Sequence, residues 1–391
     1  MSRGSDYHQL PPPPPPPPPP RLQPPRPRPA QLQSNANTED NEGHFDVTST
    51  RVIPRPRGRN GPRPHFEVLE LLGGGTFGKV ALCRDTSKNV HRAVKVVRSL
   101  TKYREAAQTE LCVLRLLGQH DPNSQHRCIK LLEDFEYNGH VCMVFEFQGK
   151  SLYDFMKTNA HLPFTLDVVQ NIGHQLMAAI GFFHSLDVVH TDLKPENILV
   201  VDVSVDRVDV YDNGQMAVYH KLRYTHVRVI DFGSAVIQPF GTSHNQLVST
   251  RHYRAPEIIL QQQWTKYIDI WSVGCILSEL HNGMTLFGSQ EDCEHLRLME
   301  ITIGDFPRSM VQASRSYRPR LFTAEGYVNY PTGSNSSEAK VLSDRRPLGR
   351  IIDPTVSDAM AAFHDLMQGL LQLVPEHRLT ADDARGYPFF S

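Results

Sequence analysis

Asp192, Lys194 and Asn197 fall at intervals of two and three residues in the run His190-Thr191-Asp192-Leu193-Lys194-Pro195-Glu196-Asn197. The apolar run Ile198-Leu199-Val200-Val201 follows at once and reads as a short buried strand, so the acid, the cation and the amide belong on one tight, supported loop. Phosphoryl transfer suits such a loop, because it asks little covalent chemistry of a protein. A carboxylate can orient a hydroxyl, a lysine can neutralise the moving phosphoryl charge and an amide oxygen can hold Mg2+. Taken alone, the eight residues also admit a blander reading, a polar turn ahead of a strand.

Other stretches carry groups for the same chemistry. The turn Gly73-Gly74-Gly75-Thr76-Phe77-Gly78 contains a Gly-x-Gly-x-x-Gly pattern, which dinucleotide-binding folds share. In those folds a helix starts at the loop, whereas here Lys79-Val80-Ala81-Leu82 continues as a second strand, which disfavours a nucleotide-binding oxidoreductase. The glycines would let the backbone amides of a hairpin close over ATP phosphates, with Phe77 as a flap at the tip. The run Ala93-Val94-Lys95-Val96-Val97 places one lysine inside an apolar strand, and a buried, unpaired ammonium is costly. A helical stretch over 103–117 offers a partner, because Glu110 falls on the face marked by Ala107, Leu111 and Leu114. Asp231-Phe232-Gly233 follows 39 residues after Asp192.

The run 190–197 resembles the catalytic loop of the eukaryotic protein kinases, with Thr191 where most members have arginine. Lys194, two residues after the aspartate, resembles the serine/threonine-directed class. The resemblance implies an α+β, two-lobed kinase fold with ATP between the lobes. It implies Asp192 and Lys194 as catalytic residues, Asp192 orienting a Ser or Thr hydroxyl, and Asn197 and Asp231 as Mg2+ ligands. It further implies that Gly73, Gly75, Gly78, Val80, Ala93, Lys95, Glu110, Glu146, Gln148 and Leu199 bind the nucleotide, Lys95 at its phosphates and held by Glu110. The segment Glu146-Phe147-Gln148-Gly149 resembles the hinge whose backbone holds adenine, with Phe145 at the gatekeeper position. By the same resemblance His190 packs beneath the metal-binding segment, Phe232 packs against the helix of Glu110 and Gly233 lets the segment pivot. Asp269 holds the catalytic-loop backbone, and Glu257 pairs with Arg378. The run from Ser249 through Thr250, Arg251, His252, Tyr253 and Arg254 to Glu257 resembles the end of an activation segment. Because Thr191 replaces the arginine that usually receives an activation-loop phosphate, that segment need not depend on phosphorylation for its order. Ser249, Thr250 and Tyr253 stand as candidate modification sites.

One segment narrows the family. Glu294-His295-Leu296-Arg297-Leu298-Met299-Glu300 closely resembles the signature of the LAMMER (CLK) kinases, departing from it at Arg297, Leu298 and Ile301. The run His190-Thr191-Asp192, the run Ser249-Thr250-Arg251-His252 and the long insert before Asp231 look like the same family. That insert, 203–228, alternates apolar and polar residues around Asp212-Asn213-Gly214, a hairpin pattern. Membership implies Arg/Ser-rich splicing factors as substrates and some tyrosine autophosphorylation. The N-terminus lacks the Arg-Ser repeats of many members.

The elements that must position these groups occupy about residues 66–390: a sheet-rich lobe over 66–147 and a helical lobe over 148–390. Phe66 and Val68 flank Glu67, and Leu69 and Leu71 flank Glu70, so a strand is expected with a slip of phase between Val68 and Leu69. Thr165 can cap a helix bearing Val169, Ile172, Leu176, Ile180 and Phe183 on one face. The run from Asp269 to Leu277 is apolar nearly all round, as in a central helix. Residues 1–64 hold 18 of the 30 prolines, including an unbroken run at 11–20, and few apolar residues, so a disordered tail is expected. Its polyproline II run could dock in SH3, WW or profilin-type partners. Arg51, Arg55, Arg57, Arg59 and Arg63 could form a nuclear-import or RNA-contacting patch, or simply a solvated linker.

The tail carries nine Arg and five acids, for +4, which leaves 32 bases and 37 acids, for −5, on residues 65–391. An acidic body tolerates a basic protein substrate. The six cysteines show no Cys-x-x-Cys pair and the 19 histidines no ligand spacing, which argues for reduced thiols and against a zinc site. No apolar run reaches membrane-spanning length and the N-terminus lacks a signal-type apolar region. The expectation is a soluble monomer of nucleus or cytoplasm, without direct nucleic-acid binding and unglycosylated at Asn335-Ser336-Ser337. The alternative is a catalytically silent kinase-like scaffold acting through the proline tail; an intact set of Lys95, Glu110, Asp192, Asn197 and Asp231 argues against it.

Overall fold

A computed structural model describes residues 43–46, 50–55, 65–212, 215–239, 241–330 and 346–391. The proline run 11–20, Arg57, Arg59, Arg63, Asn213, Gly214 and Asn335-Ser336-Ser337 lie outside them. Strands β1 (Val52–Pro54), β2 (His65–Gly75), β3 (Gly78–Asp85), β4 (Val90–Val97), β5 (Leu131–Tyr137) and β6 (His140–Glu146) form one antiparallel sheet in the order β1-β2-β3-β4-β6-β5. The slip of phase in β2 is a bulge, since the register with β3 shifts between Val68 and Glu70 and leaves Leu69 exposed. A second shift, between Leu71 and Gly73, leads into the glycine turn. Helix α1 (Thr101–His120) packs beside the sheet with Ala107, Glu110, Leu111 and Leu114 buried, the face that the periodicity marks.

Structure begins earlier than Phe66. In β1, Ile53 stands opposite Phe66 and is fully buried, Val68 N donates to Arg51 O at 3.0 Å, and Phe45 is 1% exposed. Arg55, read from sequence as part of a basic patch, is a structural cation: it pairs with Asp85 and Glu133 and lies 4.2 Å over the Phe66 ring. Two buried apolar side chains eight residues apart, Phe45 and Ile53, are too few to set up a period, yet tertiary burial holds them. Pro54 is tolerated because β1 is an edge strand.

The second lobe is mainly helical: α2 (Leu152–Thr158), α3 (Leu166–Ser185), α4 (Pro256–Ile259), α5 (Tyr267–Asn282), α6 (Asp292–Ile303), α7 (Arg308–Arg315), α8 (Leu348–Ile351), α9 (Asp358–Leu370) and α10 (Ala381–Arg385). Every residue of α5 from Ile268 to Leu280 is buried, so this helix is the centre of the lobe. Thr165 precedes α3 with extended backbone, but its hydroxyl turns to the Asp167 carboxylate rather than capping the helix. Glu257 and Arg378, 121 residues apart, form a buried bidentate pair at 2.6 and 2.6 Å. Short strands β7 (Val188–Val189) and β8 (Ile198–Val200) flank the catalytic-loop run. They pair with β12 (Val236–Ile237) and β11 (Val227–Val229).

Between β8 and β11 the insert forms the expected hairpin, β9 (Val205–Asp212) with β10 (Gln215–Leu222), in register from Asp212 opposite Gln215 to Val205 opposite Leu222. The Asn159 side chain fixes it to the end of α2, donating to His220 O at 3.1 Å and accepting from His220 N at 3.0 Å.

Candidate active site

The run 190–197 is held from below by Asp269, fully buried on α5. Its carboxylate accepts His190 N at 2.8 Å, Thr191 N at 2.9 Å and His184 Nε2 at 2.9 Å. Three donors on one buried carboxylate fix the backbone with no need of a flexible linkage. Thr191, at φ +68°, turns its hydroxyl onto Ser234 O at 2.9 Å, and so ties the loop directly to the segment after Asp231. His190 is fully buried. Its Nε2 donates to Ile230 O at 3.0 Å, its Nδ1 accepts Asp192 N at 3.3 Å, and its ring lies 5.0 Å from that of Phe232. With both nitrogens so engaged, it is a spacer between two backbones.

On this support Asp192, Lys194 and Asn197 meet. Lys194 Nζ lies 2.7 Å from Asp192 Oδ2, and Asn197 Nδ2 donates to Asp192 O at 2.9 Å, which leaves the amide oxygen of Asn197 for another partner. A residue that sequence reading noted only as a modification site completes the group. Thr250 donates its backbone N–H, at 2.9 Å, and its hydroxyl, at 2.7 Å, to Asp192 Oδ1, and the hydroxyl accepts from Lys194 Nζ at 2.9 Å.

Across the cleft Lys95 Nζ bonds Glu110 at 2.7 and 3.0 Å and Asp231 Oδ1 at 2.9 Å. Burial opposes the ammonium charge, but Glu110 and Asp231 outweigh it and push the pKa of Lys95 up. Burial also opposes the Asp231 carboxylate, and Lys95 more than offsets it, so Asp231 is held below the usual carboxylate range. Ile230 N donates to Asn197 O at 2.9 Å where β8 pairs with β11, which brings Asp231 beside Asn197. Phe232, fully buried, stacks edge-on against Phe183 at 5.9 Å, and its turn packs on α1. A Cβ on Gly233 would stand 3.2 Å from the Asp231 carboxylate and 3.4 Å from that of Glu110, so glycine is there for closeness as much as for pivoting.

The glycines divide. A Cβ on Gly78 would come within 2.3 Å of Val96 O, so that glycine is required by the approach of β4, while Gly73 and Gly75 face open space. Phe77 is not a free flap; it packs edge-on against Tyr103 of α1 at 6.2 Å. Val80 stands opposite Lys95 and Ala93 opposite Phe145, and Val80, Ala93 and Leu199 are all half-buried. Phe145 is buried and Glu146 exposed at the exit of β6, and the buried side-chain oxygen of Gln148 has no partner among the described residues. Val200 N donates to Lys150 O at 2.8 Å and so brings Leu199 to the hinge.

The activation-segment end is fully engaged. Ser249 Oγ donates to Thr191 O at 2.6 Å, and Tyr253, 5% exposed, donates its hydroxyl to Glu279 at 2.7 Å. Burial and then the Glu279 carboxylate push the Tyr253 phenol pKa up. Ser249, Thr250 and Tyr253, the candidate modification sites, each engage their hydroxyl in an internal hydrogen bond. The signature run is likewise mostly interior, with His295, Leu296, Leu298 and Met299 at 0% exposure and Glu300 accepting Val328 N at 3.1 Å. The departing Arg297 reaches the surface and pairs with Glu300, so it touches none of the residues around Asp192. Asp292, the first residue of α6, joins Arg251 and Arg318 at 2.7 Å each, tying the activation segment to the signature helix.

A protein kinase domain matches residues 66–390. Dual specificity protein kinase lkh1 of Schizosaccharomyces pombe is 40% identical over 355 residues, covering 90% of this chain and 49% of its own length. Dual specificity protein kinase CLK4 of Homo sapiens is 39% identical over 354 residues, covering 90% and 70%. Serine/threonine-protein kinase AFC3 of Arabidopsis thaliana is 37% identical over 358 residues, covering 90% and 86%. The chain thus spans about half the length of the yeast relative. A crystal structure of a kinase domain superposes with a TM-score of 0.76 at 31% identity, covering 83% of this chain and 95% of that one. The similarities cover the whole of residues 66–390, and by them the chain belongs to the protein kinase family, which phosphorylates proteins with ATP and a divalent metal ion, in its CLK/LAMMER branch.

Proposed function

We propose that the chain transfers the γ-phosphoryl group of ATP to Ser or Thr hydroxyls of basic, Arg/Ser-rich proteins in the nucleus or cytoplasm, with some tyrosine autophosphorylation. The observation that carries the transfer is one continuous series of bonds: Glu110 to Lys95, Lys95 to Asp231, Ile230 to Asn197, Asn197 to Asp192, and Asp192 to Lys194 and Thr250. Asp192 orients the acceptor hydroxyl and takes its proton, with Lys194 beside it for the negative charge that develops. Lys95, kept charged by two carboxylates, meets the phosphates, and the open faces of Gly73 and Gly75 let backbone amides approach them. Val80, Ala93 and Leu199 offer apolar surface to adenine, with backbone groups of Glu146 and Gln148 as its polar partners.

The side-chain oxygen of Asn197 and the carboxylate of Asp231 are hard oxygen donors. They suit Mg2+, which takes one or two protein ligands beside substrate phosphates. When bound, that ion draws charge from the phosphate oxygens. No observation favours the silent scaffold. The −5 of residues 65–391 supports a basic substrate, and the run 11–20 supports an SH3, WW or profilin-type partner.

The test is ATP turnover on an Arg-Ser peptide, wild type beside Asp192→Asn. Loss of several orders of magnitude is expected from removal of the base and of its grip on Lys194 and Thr250. Equal rates would take Asp192 out of the mechanism.

A further inference from the structure

The junction between β4 and α1, residues 97–100, joins the strand of Lys95 to the helix of Glu110, and α1 enters it poorly prepared. Leu100 occupies the N-cap with no side-chain cap, and no acid stands in the first turn, so neither a cap nor a favourable charge fixes the start of the helix. What meets the junction is the short stretch 43–45. Ser99 N donates to Gly43 O at 3.0 Å. Gly43 has φ +76°, and a Cβ there would stand 3.0 Å from Ser99 Oγ and 3.1 Å from Leu100 Cγ, so only glycine seats this closely. The Phe45 ring, buried, lies edge-on to His140 at 5.4 Å and to Tyr137 at 6.0 Å, and His140 Nδ1 bonds Val97 O at 2.7 Å. On its other side the junction holds the glycine turn, through Arg98 N to Phe77 O at 3.0 Å.

We infer that residues 43–45 are a positioning element for the nucleotide site: seated on the β4–α1 junction, they set the start of α1 and the tip of the glycine turn, and so hold Glu110 against Lys95. None of these residues belongs to the candidate nucleotide site, and their effect runs through Ser99, Val97 and Leu100. The inference rests on Lys95 and Glu110 serving the nucleotide.

The full-length chain tests it with Phe45→Ala, Phe45→Leu and, as a control, Ile53→Ala. Ile53 is buried in the same sheet core as Phe45 but opposite Phe66, away from the junction. Phe45→Ala is expected to lower kcat/KM for ATP about fivefold or more and to speed hydrogen exchange at the amides of Tyr103 and Arg104, which bond Leu100 O. Phe45→Leu should restore most of both. Ile53→Ala should lower the unfolding temperature while leaving both readouts within about twofold of wild type. Should Phe45→Ala fail to fold, Gly43→Ala applies the same displacement with the Phe45 anchor intact. Unchanged exchange and kcat/KM in the anchor variants, or equal changes in Ile53→Ala, would overturn the positioning role. Lys95→Met separates this from the reading beneath it, since a normal kcat/KM for ATP there would overturn both.

Discussion

Thr250 shows how much of a site can rest on a side chain with no local mark. Its hydroxyl sits between Asp192 and Lys194, and hydrogen bonds to charged groups are worth about 1.5–3 kcal/mol, which is roughly ten- to a hundredfold in rate if they orient the base. Thr250→Val is therefore expected to lower kcat by about that factor with little change in unfolding temperature, and Thr250→Ser to keep most of it; initial rates at saturating ATP decide between them. A full-rate valine variant would reduce Thr250 to packing. Sequence alone could not find this role, because the partner carboxylate is 58 residues away and a threonine in a polar stretch has no period or charge to set it apart. Lys95 was legible for the opposite reason: a single charge inside an apolar strand demands a partner, and Glu110 on the inner face of a helix is the one the periodicity supplies. The Asp269 contacts came through family resemblance, since nothing in a largely apolar helix says which backbone an acid in its first turn will hold.

Among the elements, the signature helix α6 is the one whose interior the sequence under-described. His295 reads as a polar residue in a named motif, yet it is fully buried with neither ring nitrogen partnered among the described residues. Burial, reinforced by Arg251, Arg254 and His252 and only partly countered by Asp292, depresses its pKa to about 3. A folded value below the unfolded one, near 6.5, means that the unfolded chain binds the extra proton as pH falls through the range between them. Stability is thus full above pH ~6.5 and is lost on acidification, by about 1.5 kcal/mol between pH 6.5 and 5 from this group alone. His295→Leu should remove that part of the loss, so urea midpoints at the two pH values should converge for the variant relative to wild type. Parallel losses would mean that the ring finds a proton partner when acidified. Elsewhere the elements were read well where one face is buried against one core, as in α1 and α3, and where a turn signal sits between two alternating runs, as in the insert hairpin. They were read poorly in and before β1, where Phe45, Ile53 and the adjoining Arg55 gain their contacts from a sheet that follows them in the chain.

For the molecule as a whole, the two lobes place two cations, Lys95 and Lys194, inside a body that carries −5 over residues 65–391. That distribution has a consequence for the protein substrate which the transfer residues do not share. The positive charges of Lys95 and Lys194 are met by Glu110, Asp231 and Asp192, and Glu196 stands exposed on the loop of Asp192 itself, where a basic peptide approaching that loop would meet it. Interactions of exposed charges fade beyond the Debye length, about 10 Å at 0.1 M salt and about 3 Å at 1 M. Raising salt from about 0.05 to 0.5 M should therefore lower kcat/KM for an Arg-Ser peptide several-fold while kcat at saturating peptide holds, and leave a peptide of the same length without arginine nearly flat. Glu196→Gln should show a lower kcat/KM at low salt and a shallower decline. If both peptides respond alike, charge does not select the substrate, and the specificity must come from contacts made at the acceptor residue itself, with Asp192, Lys194 and Thr250 unaffected in their roles.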